Sequence, residues 1–181
     1  MKRLFLCLFM GMLLAWAYPA HSATVTYDES GNAIGIDGLI VTGYGQYDVD
    51  FLYGSFNDLW PSGSNPEFWG DESGAQSASD AINSVLNEET PVPAVTTDSL
   101  WVYNVPFQET KEGKIEVVVN TLHADISRWW GRNSSSTGTL DPGVNRSYAK
   151  FTPVPIPPAL LLLGSGLVAI VRIRRKTGVK E

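Results

Sequence analysis

The chain has 181 residues, 44% of them hydrophobic and 18% charged, with a formal net charge of −6 and a single cysteine, Cys7. Between Ala23 and Thr152 there are eighteen acids against six bases, a net of −12, while both ends are basic. So acidic a stretch argues against a nucleic-acid partner, because phosphate contacts need clustered Lys and Arg, and one cysteine excludes an internal disulfide.

The first element is a targeting segment. Lys2 and Arg3 form a positive start, Leu4 to Ala17 an apolar run, and Ala20-His21-Ser22 a small-x-small cleavage site. This is the pattern of a secretory signal peptide, cut after Ser22 or, as second choice, after Ala23. It implies the Sec export machinery and signal peptidase as partners. Cys7 sits inside the apolar run, too early for a lipidated first residue, so the mature chain is free of cysteine. The remaining ~130 residues suffice for one domain resting on its own core.

Thr24 to Tyr27 alternates as a first strand and ends in the turn cluster Asp28-Glu29-Ser30-Gly31-Asn32. Ala33 to Val41 reads as broken by Gly35 and by Asp37-Gly38. Past the turn Thr42-Gly43-Tyr44-Gly45, residues Tyr47, Val49, Phe51 and Tyr53 share one face at period two. A hairpin of Ile36–Val41 with Gln46–Tyr53 follows. Asn57 to Glu72 reads as a long irregular loop holding Trp60, Phe68 and Trp69. A helix is expected over Gln76–Asn87, capped by Ser73 or Asp71, with Ala78, Ile82, Val85 and Leu86 as its stripe. Pro91 and Pro93 end it.

Strands resume at Asp98–Phe107, with Leu100, Val102 and Asn104 on one side and Trp101, Tyr103 and Val105 on the other. A turn at Glu109–Gly113 leads to Ile115–Asn120. Ala124–Trp130 fits a strand or a short helix, Asn133–Val144 a loop, and Arg146–Thr152 a last strand. The expected fold class is α+β: a small antiparallel β-sheet domain over 23–152 with one packed helix. It lies between the signal peptide at 1–22 and a C-terminal transmembrane sorting helix within 153–181.

Candidates for chemistry are few. With His21 removed, His123 is the mature chain's one histidine, and Asp125 two residues on can orient it as a general base. A lone histidine near a strand end is more often structural. No Gly-x-Ser-x-Gly elbow and no histidine pair for zinc occur. Asp48, Asp50 and Asp58 offer calcium oxygens, but no Asp-x-Asp-x-Asp-Gly loop is present, and alternating Asp48 and Asp50 read as a solvent-facing strand side. The expectation is no catalytic residue, no metal and no cofactor. The loop aromatics weigh more. Trp60, Trp69, Trp129 and Trp130 either fold back to cap the core or form a stacking surface for sugar rings or another protein. Trp129-Trp130, flanked by Arg128 and Arg132, is the first choice for such a site.

The C-terminal end is the most informative stretch. Four prolines fall within the six residues Pro153–Pro158, favouring an extended spacer over a helix. The apolar run Ala159–Val171 is thirteen residues, about 20 Å as a helix against a ~30 Å hydrocarbon core. Arg172, Arg174, Arg175, Lys176 and Lys180 follow at once, a cytoplasmic stop under the positive-inside rule. The run is apolar all round, which argues for membrane lipid rather than a protein core around it.

Val154-Pro155-Ile156-Pro157-Pro158, the Leu160–Leu163 run, Gly164-Ser165-Gly166-Leu167 and the closing Arg-Arg-Lys together resemble a PEP-CTERM sorting signal. Ile156 stands where the name-giving motif has Glu, so the tail is similar to the Val-Pro-x-Pro variant. A weaker likeness to proteins with such tails covers Gly38-Leu39, Tyr47-Asp48-Val49-Asp50-Phe51 and Gly54-Ser55-Phe56. The resemblance implies a bacterial exported protein of the Gram-negative type, sorted by exosortase, either cut at the Pro-rich motif or left as a single-span anchor. It also implies cell-surface or matrix placement beside exopolysaccharide. Three functions are weighed: a non-enzymatic surface or extracellular-matrix protein, a carbohydrate-binding module using the tryptophans, and a hydrolase centred on His123.

Overall fold

The computed structural model describes residues 23–95, 101–123, 127–131 and 137–155. The expected signal peptide at 1–22 and the tail from Ile156 onward, with Pro157, Pro158, Arg172, Arg174, Arg175 and Lys176, lie outside the described residues, as do Asp98, Leu100, Asp125 and Arg132.

The strands are β1 (Thr24–Tyr27), β2 (Ala33–Val41), β3 (Gly45–Gly54), β4 (Val102–Glu109), β5 (Ile115–His123), β6 (Arg128–Gly131), β7 (Thr137–Leu140) and β8 (Arg146–Pro153). Two helices, α1 (Phe56–Leu59) and α2 (Glu72–Glu88), fall between β3 and β4. All strands join one sheet in the order β1-β2-β3-β8-β4-β5-β6, with β7 also pairing β5. The class is α+β, but the sheet is mixed rather than antiparallel. The last strand inserts between β3 and β4, antiparallel to β3 and parallel to β4, meeting the latter at Asn104↔Tyr148.

The β1–β2–β3 meander follows from its punctuation. Asp28 closes the first turn, its Oδ1 accepting from the Ser30 and Asn32 amides at 2.9 and 2.8 Å. The two glycine sites expected to break β2 do not. At Gly35 a Cβ would lie 2.7 Å from the Val49 carbonyl oxygen, so the glycine permits close strand approach. Gly38, at φ +71°, absorbs a bulge between Ile36 and Leu39, and its amide donates to Asp48 Oδ1 at 2.8 Å. The register shifts and the strand continues.

α2 begins one residue after Asp71, whose Oδ1 accepts from the Gly74 amide at 2.9 Å. Its buried stripe is Gly74, Ala75, Ala78, Ser79, Ile82, Asn83 and Leu86, small enough to let the helix lie close on the sheet. Under it sits the main core: Ile36, Leu39, Val49 and Phe51 from the meander, Tyr103, Val105 and Phe107 from β4, and Trp129 from β6. Four polar side chains are buried in that layer and satisfy one another. Asn83 donates to Asn120 Oδ1 at 2.7 Å, Tyr103 donates to Asn83 Oδ1 at 2.7 Å, and Asn120 donates to Ser79 Oγ.

The opposite face holds a second cluster, because side chains alternate across strands. Tyr148, Ile115 and Val117 belong to it, whereas their neighbours Ala149 and Val118 face the main core. Phe56 and Trp60, at the two ends of α1, cover it. The expected loop over 57–72 therefore contains a helix, capped by Ser55, and is otherwise a strap. Consecutive residues pin that strap on both faces: Phe68 enters the main core against Tyr47 and Phe151, and Trp69 stacks on Phe56. β7 also replaces an expected loop. Its two threonines suit a strand but Gly138 between them does not, and it forms because the edge of β5 from Ile115 to Val118 offers it a ladder.

Candidate functional site

The four candidate tryptophans divide between three environments. Trp129 is 2% exposed, donates its indole N–H to the Pro93 carbonyl at 2.8 Å, and packs 5.3 Å from Tyr103. Asn87 clamps its backbone from α2, accepting from the Trp129 amide at 2.7 Å and donating to its carbonyl at 3.0 Å. It is a core residue. Trp60 is also buried, its ring 5.0 Å from Phe56 and edge-on to Tyr148 at 5.5 Å. Trp69 is half-buried and also stacks on Phe56, the rings 5.6 Å apart and 27° from parallel. For Trp60 and Trp129 the core-capping alternative describes the arrangement. The pair first chosen for stacking is split across the sheet by the strand alternation that places Trp129 inward and Trp130 outward.

Trp130 is 49% exposed. Its direct cross-strand partner is Thr121, which in turn pairs with Val102. Cross-strand partners share a face, so the row Val102–Thr121–Trp130 lies on the same face as the Phe56–Trp60–Tyr148 cluster, uncovered by α1. Arg128 and His123 pair at the end of the same two strands, and both are exposed. The partner proposed for His123, Asp125, lies outside the described residues.

Other candidates disperse. Asp48 is engaged by the Gly38 amide and Asp58 by the Ser55 hydroxyl at 2.6 Å. Among the described residues no group of three or more His, Cys, Asp and Glu is arranged to hold a metal ion. A groove of about 480 Å³ runs between α2 and β2, walled by Ala23, Leu39, Ile40, Asp80, Ala81 and Val85. Asp80 is its one titratable lining residue.

Sequence reasoning passed over Tyr148. Its hydroxyl is buried without a hydrogen-bond partner among the described residues, and burial pushes its pKa up to about 12 against a smaller opposing pull from Arg146. The residue reads as one more alternating strand position, and nothing in the local pattern reveals that α1 closes over it. Tyr103 is raised well above its ordinary value, by burial first, with its hydrogen bond to Ser79 acting the other way.

Of the expected sorting motif, Val154 and Pro155 are described. The Val154 amide donates to the Gln46 carbonyl at 2.9 Å, so the motif begins as a continuation of β8 along β3. Among the described residues no helix is long and apolar enough to cross a membrane, and the apolar run 159–171 lies outside them.

No family model, curated protein or solved structure matches this chain.

Proposed function

We propose that this is a non-enzymatic surface or extracellular-matrix protein, exported through its signal peptide and held at the membrane by the tail until exosortase acts at Val154–Pro158. The observation that carries this reading is the order of the tail: proline-rich motif, thirteen-residue apolar run, basic stop. The position of β8 supports it, since the strand ends at Pro153 and a cut within the motif removes no sheet residue. The test is mass spectrometry of the mature protein from its host. A C-terminus between Pro155 and Pro158 is expected. An intact Glu181 in the membrane fraction removes the processing step and leaves a single-span anchor.

A second reading, a carbohydrate-binding module, is favoured by one observation. Trp130 presents an exposed ring beside Thr121 with Arg128 near, the mixed apolar and polar surface that sugar rings stack on. Polysaccharide titration would shift tryptophan fluorescence, and Trp130→Ala would abolish the shift. An unchanged spectrum in the parent protein removes this reading.

A further inference from the structure

We infer that the end of the β1–β2–β3–β8 meander carrying the Thr42–Gly45 turn stands against a zwitterionic lipid surface, with the Asp28–Asn32 end pointing away. The inference rests on the tail reading above and adds an orientation to it. Three observations carry it.

The first is reach. β8 lies inside the sheet, flanked by β3 and β4, and it stays hydrogen-bonded to β3 up to Val154. From Pro155 the apolar run begins at Ala159, four residues on, a span of at most about 14 Å even when fully extended. Whatever conformation those residues take, this end of the sheet is confined to a shallow layer above the hydrocarbon.

The second is the N-terminal side. Thr24 pairs with Asp37, while Leu39 pairs with Tyr47 and Tyr47 with Pro153. The chain therefore enters β1 close to the row at which it leaves β8. The strands are three inter-strand spacings apart, about 14 Å. In a precursor not yet cut, both apolar ends leave the domain on the side of the same turn.

The third is the surface itself. The turn Thr42-Gly43-Tyr44-Gly45 carries no charge, and beside it Ile40 is 61% exposed and Tyr44 40%. A tyrosine with an apolar ring and a bonded hydroxyl suits the membrane–water boundary. The Tyr44 hydroxyl is held protonated above its ordinary range, first by its hydrogen bond to Asp71 and then by partial burial. The charged groups toward this end are Asp71 beside Tyr44, Glu67 beside Tyr47, Asp80 in the groove it shares with Ile40 and Thr42, and Asp48 bonded to the Gly38 amide, all acidic. An end lined by carboxylates fits zwitterionic headgroups and is repelled by anionic ones. At the far end Asp28 and Glu29 occupy the corresponding turn.

The absence of cysteine after Cys7 makes the test direct. In full-length Cys7→Ala protein reconstituted in phosphatidylcholine vesicles, a fluorophore is placed on Thr42→Cys or on Ser30→Cys, both exposed turn positions. A headgroup-attached nitroxide then reads proximity to lipid. Several-fold stronger quenching at position 42 than at 30 is expected. Equal quenching in protein that floats with the vesicles overturns the orientation and leaves the tail reading standing. Protein that does not float overturns the tail reading and the orientation with it.

Discussion

The two faces of the sheet are built by different means. Under α2 the core is aliphatic and aromatic with a closed polar network, in which Ser79, Asn83, Tyr103 and Asn120 are all bonded. Under α1 the cluster sets the rings of Phe56, Trp60 and Tyr148 against Ile115 and Val117, and the buried Tyr148 hydroxyl has no partner among the described residues. A satisfied network ties the helix to one register on the sheet, because any slip leaves buried amides unpaired. Stacked rings impose no such penalty on small shifts. The first face specifies the fold; the second covers apolar surface.

Substitutions sharpen that contrast, and the largest effect belongs to Trp129. Trp129→Ala removes a fully buried ring together with the bond to Pro93, and a loss of about 3–5 kcal/mol is expected in urea unfolding. Trp129→Ala within 1 kcal/mol of the parent would mean that the ring is not in the core. Asn83→Ala leaves Asn120 Oδ1 without its donor and Tyr103 with only its 3.3 Å bond to the Ser79 carbonyl, and the same assay should show a loss of about 1–3 kcal/mol.

The paired hydroxyl deletions break the comparison most directly. Tyr103→Phe should cost about 1 kcal/mol, whereas Tyr148→Phe should be neutral or stabilising, because its hydroxyl forfeits solvation without gaining a bond. If the two cost the same, the asymmetry between the faces is lost. Titration gives a further check. The folded-state pKa of Tyr148 is raised to about 12, above an unfolded value near 10. The group therefore leaves stability unchanged with pH below about pH 10, and destabilises the fold progressively as pH climbs from 10 through 12, because only the unfolded chain ionises there. Thermal melts over that window should fall less steeply in Tyr148→Phe than in the parent. The smallest effect is expected at Trp130, where replacement by alanine should change stability by no more than about 0.5 kcal/mol, since the ring is half in solvent.

What the chain discloses without its tertiary structure is whatever repeats locally. Alternation at Tyr47, Val49 and Phe51 placed β3 and its inward face, and the stripe Ala78–Ile82–Leu86 placed α2, whose cap stayed open between Ser73 and Asp71. Charge order and proline spacing gave the tail its reading in the same way, because each depends only on neighbours in sequence. Four features depended on distant partners and stayed hidden. The mixed sheet arises from the insertion of β8 between β3 and β4, and β7 exists only because β5 presents a free edge. Gly35 and Gly38 look like strand breakers until Val49 and Asp48 lie across from them. The fate of each tryptophan was decided last, by which sheet face its strand or strap presented and by whether a helix lay over it. Burial is a property of the assembled layers, and a ring in a glycine-rich segment carries no local mark of which layer will claim it.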